Sequence, residues 1–184
     1  MKLSSMTPIT DFQREIAAAA RTCFHNLRSS RPDEHFYAYA LYTDSDAMTI
    51  VPSANSLEGL QETLRAMNAT DDKPWITWGV EEWKYCAWNT DGFNEICRKL
   101  RSDPVRSDGT ADSNFDSFFF RVCSDMVAAL KLLDEEGFFG SGEAREQVVL
   151  FASINDDDRS DQFEDESARL LNPDTVYDRF SNRF

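Results

Sequence analysis

The chain has 184 residues, with 33 Asp and Glu against 19 Lys and Arg, a net charge of −14 and 12% aromatic residues. That balance excludes a general nucleic-acid binder, which needs Lys and Arg to neutralise phosphates, and a chain drawn to anionic membranes. An aromatic content that includes 14 Phe also sets it apart from disordered chains.

A chain of this length is most simply one domain, burying roughly 70% of its unfolded surface without a metal or disulfide. Met1–Met6 is not followed by an apolar signal-peptide region. No apolar run reaches the ~20 residues of a membrane span, so the expectation is a cytoplasmic protein.

In chain order, Thr10 with Gln13 forms a capping box. Phe12, Ile16, Ala19, Ala20, Cys23, Phe24 and Leu27 then share a helical face that ends before Pro32. Phe36–Tyr42 is apolar on both alternations, as a central strand should be. Asp44-Ser45-Asp46 offers turn chemistry, and Met48–Val51 reads as the returning strand of a hairpin. Asn55 with Glu58 caps a second helix striped by Leu57, Leu60, Leu64 and Met67.

Asp71–Pro74 is a loop, and all four tryptophans follow within Trp75–Trp88. A strand is expected at about 82–88, with Trp83, Tyr85 and Ala87 on one face. A short helix at about 91–101 and an exposed loop over Arg101–Ala111 come next. The clearest element is a helix from about 114 to 136, with Phe115, Phe118, Phe119, Val122, Met126, Leu130 and Leu133 at helical spacing and Gly137 as its terminator. Phe138–Gly142 is a loop and Val148–Ile154 a second central-type strand. A polar stretch then runs to Glu166, Ser167–Leu171 is helical, and Pro173 opens a last helix to about Arg179.

Strands cluster early and strict βα alternation fails. The fold class is therefore α+β: a single domain over 1–184 with an antiparallel or mixed central sheet of about four to five strands and helices packed on it.

Chemistry is sparse. Of the two histidines, His25 neighbours core-facing Phe24 and His35 precedes a strand; neither is brought to a Ser or Cys by spacing. Cys23, Cys86, Cys97 and Cys123 lie far apart without a C-x-x-C pair and read as small buried hydrophobes. Gly140-Ser141-Gly142 lacks the lysine and the strand-to-helix order of a phosphate loop. Asp156-Asp157-Asp158-Arg159-Ser160-Asp161 invites a calcium reading, but position six is Asp161 rather than Gly and position twelve is Ser167 rather than Glu. The tryptophan cluster is either core packing or an interaction surface. Asp134-Glu135-Glu136 ends the long helix with acids that oppose its macrodipole by about 0.3–1 kcal/mol each, which is either ordinary surface variation or a sign that the carboxylates face a cationic partner.

The hairpin Phe36–Val51, the segment WGVEEWKYCAW and the segment REQVVLFASINDDD together resemble a family of small bacterial proteins described as domain of unknown function 4303. The family has no established catalytic residues to carry over. Small acidic proteins of this kind look like immunity proteins, which neutralise a toxin encoded by a neighbouring gene, and that role is implied by analogy. The function expected is a non-enzymatic acidic protein that occludes a basic protein toxin or another protein partner, with no cofactor, no nucleic acid and no membrane. Candidate contacts are Asp156, Asp157, Asp158, Asp161, Glu164 and Asp165, with Glu135 and Glu136 as a second patch. The alternatives are a carboxylate-based, metal-dependent enzyme using Asp156–Asp158, or a housekeeping interaction module or homodimer using the Trp segment. Charge is unevenly placed: residues 1–34 stand at +1 and residues 152–184 at −5, which leaves −10 in the middle.

Overall fold

The computed structural model describes residues 8–69, 73–104 and 112–183. Met1–Met6, Asp71 and Asp72 of the first expected loop, and residues 105–111 of the second lie outside the described residues.

Helix α1, Asp11–Ser30, begins at the expected capping box. Thr10 Oγ1 accepts from the Gln13 N–H at 3.1 Å, and Gln13 Oε1 accepts from the Thr10 N–H at 3.0 Å. Its buried face carries Ile16, Ala17, Ala20, Cys23, Phe24 and Leu27. Strand β1, Phe36–Asp44, follows and is central. It pairs antiparallel with β2, Val51–Ser56, and parallel with β3, Val149–Asn155, in the order β2-β1-β3. The β1–β3 register runs from Ala38 beside Val149 to Asp44 beside Asn155.

The sheet is mixed, but among the described residues it has three strands rather than four to five. The strand expected at 82–88 reduces to a single antiparallel bridge, Ala54 to Tyr85. A 3₁₀ turn occupies Val80–Glu82, and positive φ at Ala87 (50°) and Asn89 (50°) bends the chain away from an extended path. Trp83 and Tyr85 are buried, whereas Ala87, expected on the same face, is exposed.

The returning strand also starts later than expected. Asp44 Oδ1 accepts from the N–H groups of Asp46 (3.0 Å) and Met48 (2.9 Å), and Thr49 donates to its other oxygen. That Asx-type turn consumes residues 46–49. β2 is then polar, with Ser53, Asn55 and Ser56 all buried. Ser56, not Asn55, caps α2, Leu57–Ala66, accepting from the Gly59 N–H at 2.9 Å.

Helix α3, Pro74–Trp78, and α4, Asn94–Arg101, precede the long α5, Asp112–Glu135. Gly137 (φ +72°) closes α5 in a Schellman arrangement: Phe138 N–H donates to Leu133 O and Gly137 N–H to Asp134 O. The short α6, Glu143–Glu146, leads into β3, and α7, Ser160–Leu171, and α8, Asp174–Ser181, end the described chain. The polar stretch after β3 is thus mostly helix. Among the described residues no helix is long and apolar enough to cross a membrane.

Both sheet faces are covered. Tyr39, Leu41, Leu150, Ala152 and Ile154 pack with α1 and α5, while Ala38, Ala40, Val149 and Phe151 pack with Val80, Trp83, Ala168, Val176 and Phe180. That double burial explains why β1 and β3 alike read as central strands, although β3 lies at an edge. Its open edge is closed by side chains of the α7 region. The Leu150 N–H donates to Asn172 Oδ1 at 2.9 Å, and Asn172 Nδ2 donates to Leu150 O at 2.6 Å. The Ala152 N–H donates to Ser167 Oγ at 2.9 Å. Cys23, Cys97 and Cys123 are buried, Cys86 is half-buried, and all four are free thiols.

Removing one of these edge-closing acceptors leaves a buried N–H without a partner, at about 1–3 kcal/mol. Ser167→Ala is expected to destabilise by that amount in urea unfolding, and Asn172→Leu by at least as much. Changes below about 0.5 kcal/mol, the range of an ordinary surface substitution, in both variants would refute this account of the edge.

Candidate functional site

The expected acidic contacts fall into distinct structural roles. Asp156 turns the chain out of β3 in the left-handed region (φ +52°) and is exposed. Asp157 is held inward: it accepts from the Arg159 N–H at 2.8 Å, from Nε at 2.8 Å and from Nη2 at 2.6 Å. These Arg159 bonds and charge hold its carboxyl below the usual carboxylate range. Asp158 and Asp161 are exposed and have no ion pair among the described residues.

Glu164 lies one turn into α7 and faces the sheet. It accepts from Ser153 Oγ at 2.6 Å, and Arg183 Nη2 lies 3.5 Å away. Asp165 pairs with Arg183 Nη1 at 2.6 Å and is 44% exposed.

The second patch splits as well. Glu136 forms an ion pair with Arg21 of α1, and the neighbouring Asp134 pairs with the buried Arg145. Glu135 stands 4.0 Å from Lys131, with both side chains more than half exposed, a contact of little energy. The acids that oppose the α5 macrodipole therefore find most of their counter-charge inside the chain.

A cleft of about 380 Å³ gathers part of the acidic set. It opens at the C-terminal ends of the parallel strands β1 and β3, the end at which open sheets with parallel strands present ligand sites. Tyr42, Ser153, Asp156, Asp157 and Glu164 form one wall, and Trp75 with Gly79–Glu82 forms the other. Within it Asp157 is answered by Arg159 and Glu164 by Arg183, while Glu81, Glu82 and Asp156 have no ion pair among the described residues. Among the described residues no Lys or Arg lines the cleft, and Trp75 at its rim is 50% exposed. Burial first, then Cys86 and Glu81, pushes the Tyr42 phenol up, so it stays neutral; its hydroxyl lies 3.6 Å from Cys86 Sγ.

Such an arrangement is chemically suited to positive charge, because a Lys or Arg head group would meet these carboxylates beside an aromatic face. The histidines are elsewhere. His25 is exposed on α1, and His35 bonds Glu58 through its backbone N–H and Nδ1, both at 2.8 Å. These bonds hold the Glu58 carboxyl down at about 2. Among the described residues no group of three or more His, Cys, Asp or Glu is placed to hold a metal ion. Glu81, Glu82 and Trp75 were absent from the expected contacts. Only the fold brings them beside Asp156; the signal in the sequence is the Trp-rich segment that holds all three, read there as either core packing or an interaction surface.

Burial raises the Glu164 carboxyl, outweighing the Ser153 hydrogen bond and the Arg183 charge. The unfolded glutamate ionises near 4.3, below the folded one. Folding stability therefore drops as pH rises through the interval between the two values. Glu164→Gln keeps an acceptor for Ser153 and removes the titration. Urea melts from about pH 4 to about pH 6, either side of that unfolded value, should show the variant gaining stability relative to the parent; a flat or reversed trend contradicts the assignment.

A family model matches residues 16–173. The matched span contains the sheet, the Trp-rich segment and both walls of the cleft. No curated protein and no solved structure matches the chain. By that match the chain belongs to the family described as Domain of unknown function (DUF4303).

Proposed function

We propose that the protein is a non-enzymatic binding protein of the immunity type, which neutralises a basic protein toxin by occluding it. The observation that carries this reading is the cleft at the ends of β1 and β3: among the described residues, three carboxylates without ion pairs and no lining cation, beside a half-exposed tryptophan. The −14 charge supplies the long-range part. An acidic surface steers a basic partner at rates up to ~10⁸–10⁹ M⁻¹s⁻¹ at low salt. The cleft supplies the short-range part, in which a Lys or Arg of the toxin enters beside Trp75 and exposed Asp158 and Asp161 meet neighbouring cations.

Co-expression with the product of the adjacent gene tests this. The neighbour alone should arrest growth, and this protein should restore it and bind the toxin directly. Neutralising Glu81, Glu82 and Asp156 together (Glu→Gln, Asp→Asn) should slow association by about tenfold at low salt, with a smaller effect on dissociation, as exposed charges do. If no neighbouring product is toxic, or the toxic one is not bound, the proposal fails.

A further inference from the structure

A second hollow, about 190 Å³, lies on the other side of the Asp156–Arg159 turn, between α5 and α7. Ile154 lines both it and the acidic cleft, so the two adjoin. Phe119, Phe120, Ile154, Phe163 and the Cys123 thiol give it an apolar lining, which Arg159, Gln162 and Glu166 complete. Burial pushes that thiol up to about 12, so it adds no charge. Phe120 is 40% exposed, a large apolar surface left in water. An apolar cavity of about 150 Å³ holds one benzene ring, so this hollow suits a single aromatic or branched aliphatic group.

The mouth decides the charge of what enters. Arg159 lies over the Phe119 ring at 4.1 Å, but its charge is answered by Asp157 at 2.6 Å and approached by Asp116 at 3.9 Å. Glu166 stands at the rim. Arg159 against Asp157 and Asp116 leaves the mouth negative by one charge, and an anion would have to displace Asp157 from a charge-assisted, two-point pairing. Asp158 and Asp161, both exposed, flank Arg159 in sequence.

We infer that this hollow is an anchor pocket for the apolar group of a positively charged ligand, namely an aromatic or branched side chain flanked by Lys or Arg on the partner protein. The inference rests on the basic-partner reading above and adds where burial is gained. Buried aromatic anchors of this kind carry much of the binding energy of an interface.

Titration of the full chain with two probes sharing one ring, tryptamine (cationic) and indole-3-acetate (anionic), tests it by backbone NMR. Tryptamine should shift the amides of Phe119, Ile154 and Phe163, with a dissociation constant on the order of 1 mM for so small a ligand. Indole-3-acetate should bind several-fold more weakly. Phe120→Ala, at an exposed position, should weaken tryptamine several-fold while leaving the spectrum folded. Equal or tighter binding of the anion, no shift at the pocket, or indifference to Phe120→Ala overturns the inference. Probe failure with a toxin still captured removes only the anchor; a pocket that takes tryptamine while no neighbouring toxin is bound removes only the partner's identity.

Discussion

The unpaired edge of β3 is the constraint on which the rest of the structure depends. A strand whose two faces are buried and whose outer edge lacks a neighbouring strand would leave backbone N–H and C=O groups dry and unbonded, at a cost comparable to lost hydrogen bonds. Ser167 and Asn172 supply what another strand would have supplied, bonding Ala152 and Leu150 directly. These bonds fix α7 against the sheet. They thereby place Glu164, three residues before Ser167, at Ser153 on the cleft wall. The geometry of the candidate site thus follows from the solution to a backbone problem.

Arg145 locks the same junction. It is 7% exposed, yet its guanidinium reaches Asp134 at the end of α5, the Val148 carbonyl before β3, the Leu171 carbonyl at the end of α7 and the Asn172 side chain. A buried cation is tolerable only when its donors are used in this way. The bond to Asn172 Oδ1 also orients the amide that closes the β3 edge. The acid-tipped end of α5 has a physical answer in this arrangement. Asp134 offsets Arg145 and Glu136 offsets Arg21, so acids unfavourable to one helix dipole neutralise cations brought in from other elements.

How far the amino-acid pattern alone reached depended on whether an element was stabilised locally. The capping box at Thr10, the both-sided apolar run of β1, the stripe of α5 and its glycine terminator are written in neighbouring residues, and they were expected within a few positions. β2 was misplaced because Asp44 draws residues 46–49 into a turn and the strand itself carries buried Ser53, Asn55 and Ser56. The fourth strand was expected from the aromatic alternation of Trp83 and Tyr85, which pack inward from a turn. The start of α7 was hidden because its cap residue is Arg159, which makes no side-chain capping bond. The cleft was half visible: the Asp156 wall stands out as a charge run, whereas its pairing with Glu81 and Glu82 is purely tertiary.

One helix therefore serves two demands that barely interfere. The inner face of α7 carries Phe163, Glu164, Ser167, Ala168 and Leu171, each tied to the sheet or the core. Its outer positions, Asp161, Gln162 and Arg169, are exposed and close no edge. Substitution of exposed charges usually changes stability by less than about 0.5 kcal/mol, whereas loss of an edge-closing bond costs several times that. The charge pattern at Asp158 and Asp161, which the proposed partner would meet, can thus be altered with the scaffold intact, but Glu164 cannot be altered in the same way. It belongs to the cleft and to the packing at once, which makes it the residue at which the proposed binding would be coupled to stability.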